Sequence, residues 1–181
     1  QYPDLDTTTR QYMLEELELD VTQGRLYLSP RLSGTGVAAY PALLKLAVES
    51  GNDASLAAEL RKDGRLNATE QRRKPKGGYT TVAVPVTAAD TLAEGEFNRF
   101  YARGLCRRAQ AEGGGELKVH RAKEVENPRP QSEALIGSTL DPEKLLLDLR
   151  GSIGVEPALG LPPGPNSGLS VKIVKILTTR N

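Results

Sequence analysis

The chain has one cysteine, one histidine, one methionine, two phenylalanines and no tryptophan. A lone Cys106 excludes an intramolecular disulfide and a cysteine-based zinc site, and it fits a reducing, cytoplasmic setting. A lone His120 excludes any two-histidine metal site within the chain. With aromatics at only 4%, the core has to come from Leu, Val, Ile, Ala and Tyr. No apolar run approaches the roughly 20 residues that cross a bilayer, so no membrane partner is expected. Charge of one sign is also missing: 24 Lys and Arg stand against 23 Asp and Glu, for a net charge of +1. Any electrostatic role must therefore arise from local patches.

What is present suits one domain over residues 1–181, because 181 residues suffice for one well-buried core and are short for two. Met13, Leu14, Leu17 and Val21 recur at helical spacing in a locally acidic segment that Gly24 can close. "RLYLS" (25–29) reads as a short strand before Pro30. "PALLKLAVES" reads as a helix with Pro41 in its first turn, and Gly51 separates it from a second helix capped by Asn52 or Asp53. Residues 61–78 show no apolar period and carry seven cations against Asp63 and Glu70, which predicts an exposed basic loop. "YTTVAVPV" (79–86) reads as a strand, residues 88–112 as a long helix, and 116–125 as a strand.

Pro128 and Pro130 predict a turn-rich or extended connection. Asp141, Pro142 and Gly151 bound another helix. The Gly/Pro-rich stretch 151–168 is expected as an ordered loop with Ile153, Val155, Leu159 and Leu161 turned inward. A final strand from Leu169 places Lys172 and Lys175 three apart, which predicts a bulge near Ile173–Val174. The order implies an α+β or α/β domain, with one small sheet of about four strands packed by four to five helices.

"GEFNRFYARGLCRRA" (95–109) is the most distinctive stretch. At 100° per residue, Phe97, Phe100, Tyr101, Gly104 and Leu105 share one face, while Arg99, Arg103 and Arg107 stack along another. Gly104 inside the apolar stripe costs about 1 kcal/mol relative to Ala, which a closely approaching backbone could recover. The arginine stripe is a solvated face, with Glu96 pairing to Arg99, a contact for phosphates spaced one helical turn apart, or a subunit interface. Arg72, Arg73, Lys74 and Lys76 add to the phosphate reading. No cofactor is implied.

Catalytic constellations lack their context. Cys106 beside Arg103 and Arg107 has only His120 as a base, fourteen residues on. Glu116 and Lys118 match the Glu-x-Lys part of a metal-dependent nuclease core, but "YTTVAVPV" supplies no second acid. Glu94 and Glu96 diverge on a helix. Ser132 and Glu133 have no base. Glycines 113–115 follow a helix and precede a strand, the reverse of a phosphate-binding loop. No catalytic residue and no metal ligand is assigned. The expectation is a nucleic-acid-associated binding protein using Arg72, Arg73, Lys74, Lys76, Arg99, Arg103 and Arg107. The alternative is a self-assembling shell or filament subunit, a homo-oligomer joined through the acidic 4–20 and basic 61–76 segments. A metal-dependent nuclease is the third reading.

Overall fold

Gly104 identifies the centre of the molecule. It lies in helix α4 (Ala88–Ala111), and a Cβ there would come within 2.6 Å of Met13 Cγ and 3.1 Å of the Met13 nitrogen. Helix α1 (Thr7–Thr22) therefore crosses α4 at backbone distance, which is the close approach the glycine implies. Asp6 caps α1 by accepting from the Thr9 amide at 3.0 Å, and Gly24, at φ 63°, follows its end. The computed structural model describes residues 2–62, 64–155, 159–161 and 167–174.

Helices α2 (Gly34–Ser50) and α3 (Asp53–Leu60) are the two helices expected on either side of Gly51, with Asn52 and Ser55 closing a reciprocal cap. However, α2 begins seven residues earlier than its apolar pattern suggests. Ser33 is the cap, accepting from the Gly36 amide at 3.0 Å, so Pro41 lies inside the helix rather than in its first turn. Gly36 is bare because a Cβ would meet the Arg65 carbonyl oxygen at 2.0 Å. The expected strand at 25–29 is absent: its backbone has no ladder partner, and only Leu32 makes an isolated bridge, to Leu66.

Part of the basic stretch, residues 69–73, is strand rather than loop. Strands β1 (Thr69–Arg73) and β2 (Tyr79–Ala83) pair antiparallel, from Thr69 opposite Ala83 to Arg73 opposite Tyr79. Neither strand packs substantially on any other element, so neither face has a core to write apolar alternation into the sequence.

A second antiparallel sheet has the order β4–β3–β5, from β4 (Thr139–Leu140), β3 (Leu117–Arg121) and β5 (Leu169–Ile173). The β3–β5 register is unbroken, and the Val174 amide continues it by donating to the Glu116 carbonyl at 3.1 Å. The expected bulge at Ile173–Val174 is therefore absent, and Lys175 lies outside the described residues. On the outer edge of β5 the Ile173 amide donates to Asp4 at 3.0 Å, and the Leu169 carbonyl accepts from Asn98 at 2.8 Å. These side chains close an edge that would otherwise invite another strand.

Helix α5 (Pro130–Leu135) replaces the expected turn-rich or extended connection, with Pro130 in its first turn. Helix α6 (Pro142–Gly151) starts at its Asp141 cap as expected. Of the four apolar residues expected to turn inward after it, Leu161 is buried and Ile153 half-buried, whereas Val155 and Leu159 face solvent.

Among the described residues the fold is α+β, with six helices and five strands divided between two small sheets rather than one sheet of four. One apolar cluster joins Met13, Leu17, Tyr40, Leu44, Phe97, Tyr101, Leu105 and Leu149 around α4. No helix among them is long and apolar enough to cross a membrane.

Candidate functional site

The arginines of α4 turn into the molecule. Arg103 is fully buried, its Nε donating to Glu16 at 2.9 Å and its two terminal nitrogens to Asp20 at 2.6 and 2.9 Å. Its guanidinium also lies 4.9 Å from the centre of the Phe100 ring. Arg99 caps the end of α6, donating to the Leu149 carbonyl at 3.1 Å and the Val155 carbonyl at 3.2 Å. Arg107 spans Glu15 and Glu16 at 3.1 and 3.0 Å and keeps partial exposure. The sequence reading leaves three guanidiniums available to a partner; here acids and carbonyls of the same subunit engage them.

Sequence reasoning missed Glu16 and Asp20. They stand four apart on α1, as Arg99, Arg103 and Arg107 do on α4, and that matched spacing was the available signal. Burial alone would raise the Glu16 carboxyl. Hydrogen bonds from Arg150, the charge of Arg103 and a hydrogen bond from Arg107 outweigh it and hold the pKa at about 2. Glu96, one turn away from Arg99, is the opposite case. Burial raises it to about 7, Asp20 adds to the rise, and Arg99 and Arg103 offset only part of it.

The nucleophile and metal constellations do not assemble. Cys106 lies in the core, and burial pushes its thiol well above the ordinary range. His120 is half-buried, its pKa lowered by burial and by Lys172, and no hydrogen bond joins it to Cys106. Glu116 and Lys118 are exposed, with Lys118 directly opposite Lys172. Among the described residues no group of three or more His, Cys, Asp or Glu side chains is placed to hold a metal ion. Glu94 and Glu96 diverge: Glu94 pairs with Lys123 in the open, and Glu96 is buried. Ser132 is buried, while Glu133 pairs with Arg121.

The ribbon is the contrasting surface. Arg72, Arg73, Lys74 and Lys76 are all exposed. Arg72 lies 3.8 Å from Glu70, and among the described residues Arg73, Lys74 and Lys76 have no carboxylate within ion-pair distance. The ribbon is held at its foot. Glu70 accepts twice from Arg31, at 2.6 and 3.0 Å, and the Asn67 side chain donates to the Pro30 and Leu32 carbonyls. Its turn is set by the Gly77 amide donating to Lys74 and the Lys74 amide donating to Gly78, with Gly77 and Gly78 at φ 91° and 77°. Tyr79, 68% exposed, sits opposite Arg73. The arrangement presents positive charge on a two-stranded arm with an anchored base.

A hollow of about 760 Å3 opens between α3, α4 and the start of the chain. Its carboxylates are engaged: Asp53 accepts from the Tyr2 hydroxyl at 3.4 Å, Asp90 pairs with Arg61, and Glu94 with Lys123. No protein-family profile, curated protein or solved structure matches the chain.

Proposed function

We propose that the protein binds a polyanion, nucleic acid foremost, through the β1–β2 ribbon, and performs no chemistry on it. The observation that carries this reading is the cluster Arg73, Lys74 and Lys76, exposed and without an acidic partner, on a ribbon fixed at its foot by Arg31 and Glu70. Cations that make no internal pair lose little on meeting phosphate, and each contact releases condensed counterions. Arg99, Arg103 and Arg107 stand outside this reading because carbonyls and carboxylates engage them.

The test is retention on heparin and binding of labelled oligonucleotides across a salt series. Four phosphate contacts give a log–log slope of about −3 to −4. Replacing Arg72, Arg73, Lys74 and Lys76 together by Ala should abolish retention and leave the melting temperature in place. Binding by that variant equal to wild type would overturn the reading.

Self-assembly is the second reading, supported by a hollow of about 430 Å3 along α1 and α2 that includes Glu15, Glu18 and Glu49. Most of the acidic 4–20 segment works within the subunit, however: Glu16 and Asp20 hold Arg103, and Asp6 holds Arg108. If the ribbon docks on a second copy, light scattering will find larger species in low salt that the four-alanine variant no longer forms.

A further inference from the structure

We propose that the ribbon enters a groove of B-form double-stranded DNA tip first, from the major-groove side. This rests on the polyanion reading above and narrows it to one form of nucleic acid. Adjacent residues of a strand point to opposite faces, so Arg72 and Arg73 project from opposite sides of the ribbon. Two phosphate walls flank a groove, and cations on both faces can meet both walls, whereas a flat polyanion could engage only one face. Two strands about 4.8 Å apart fit the roughly 12 Å width of the major groove, which admits a two-stranded ribbon.

Depth gives a second argument. The groove is about 8.5 Å deep, which at about 3.4 Å per residue takes in about two and a half residue levels, the length of the turn from Lys74 to Gly78. The pairs Arg73 with Tyr79 and Arg72 with Thr80 then stand at its mouth, beside the phosphate walls. Glu70, about 10 Å behind Arg73, stays outside, locked to Arg31. The leading end is slim: a Cβ at Gly77 or Gly78 would meet nothing within 4 Å, so those glycines serve the left-handed turn rather than any packing. Binding of single strands relies on successive aromatic platforms, and Tyr79 is the only aromatic residue the ribbon carries.

The test compares the full chain on four probes at one salt concentration: a DNA duplex, one of its single strands, an RNA duplex of the same sequence and heparin. The DNA duplex should bind about tenfold more tightly than either the single strand or the RNA duplex, whose major groove is too narrow to enter. Arg72→Ala and Arg73→Ala should each weaken duplex binding and each lower the salt slope by about 1. A major-groove dye should compete, and a minor-groove drug should not. If all four probes bind equally, or only one of the two arginines matters, groove entry is overturned and the polyanion reading survives. If no probe binds, both readings fall.

Discussion

Arg103 and Arg73 are the same side chain in opposite circumstances. Arg103 is sealed between two carboxylates of α1, and Arg73 stands in water on a strand with no neighbour but its partner. The difference lies in the opposing element rather than in the arginine. α1 offers Glu16 and Asp20 at the spacing of the α4 stripe, while among the described residues nothing acidic pairs with the ribbon's cations beyond Glu70. A periodic row of arginines therefore signals a ligand only when no row of acids elsewhere in the chain matches it.

The sharpest way to break this comparison is to delete Arg103. Arg103→Ala leaves Asp20 and part of Glu16 buried without a counter-charge, which costs about 3–5 kcal/mol. A shift of the urea midpoint worth less than 1 kcal/mol would show that the buried cluster is not holding α1 to α4.

The two buried glutamates should then pull in opposite directions with pH. Glu16 sits below its ordinary value of 4.5, so its contribution is present above that value and fades as pH falls towards 2. Glu96 sits above it, so its contribution is present below pH 4.5 and is lost as pH rises through 7. Each window is worth about 3 kcal/mol at most. Glu96→Gln, which cannot ionise, should match wild type near pH 5 and exceed it near pH 8. Urea melts at both pH values check this, and equal differences at the two would remove Glu96 from the account.

Gly104→Ala comes next. Helix propensity favours alanine by about 1 kcal/mol. The Met13 side chain and backbone occupy the space, so a net loss of about 1–3 kcal/mol is expected in a thermal melt. The smallest effect on stability belongs to the ribbon: its four alanines should change unfolding by no more than about 0.5 kcal/mol while removing polyanion binding.

The sequence made some of this readable. Asp141 followed by Pro142, and Asn52 ahead of a good helix, mark α6 and α3 because caps are local chemistry. Gly104 in an apolar stripe announced a crossing backbone. The start of α2 was hidden because Gly34 and Gly36 carry no apolar pattern, and the reason for Gly36 is a carbonyl from residue 65. β1 was hidden because both its faces are wet, and β4 because two residues carry no period. Among the candidate site residues, the basic run 72–76 was plain as composition. That α4's arginines were already engaged was not, since Glu16 lies 87 residues from Arg103.

That separation has a consequence for biosynthesis. A growing polypeptide exposes Glu16 and Asp20 long before the ribosome has made the cation that neutralises them, and Asp4 waits longer still for the amide of Ile173. Helix α1 must remain hydrated and undocked until α4 has been made, and the contact of Asp4 can form only after β5 has followed, as long-range contacts of this kind require.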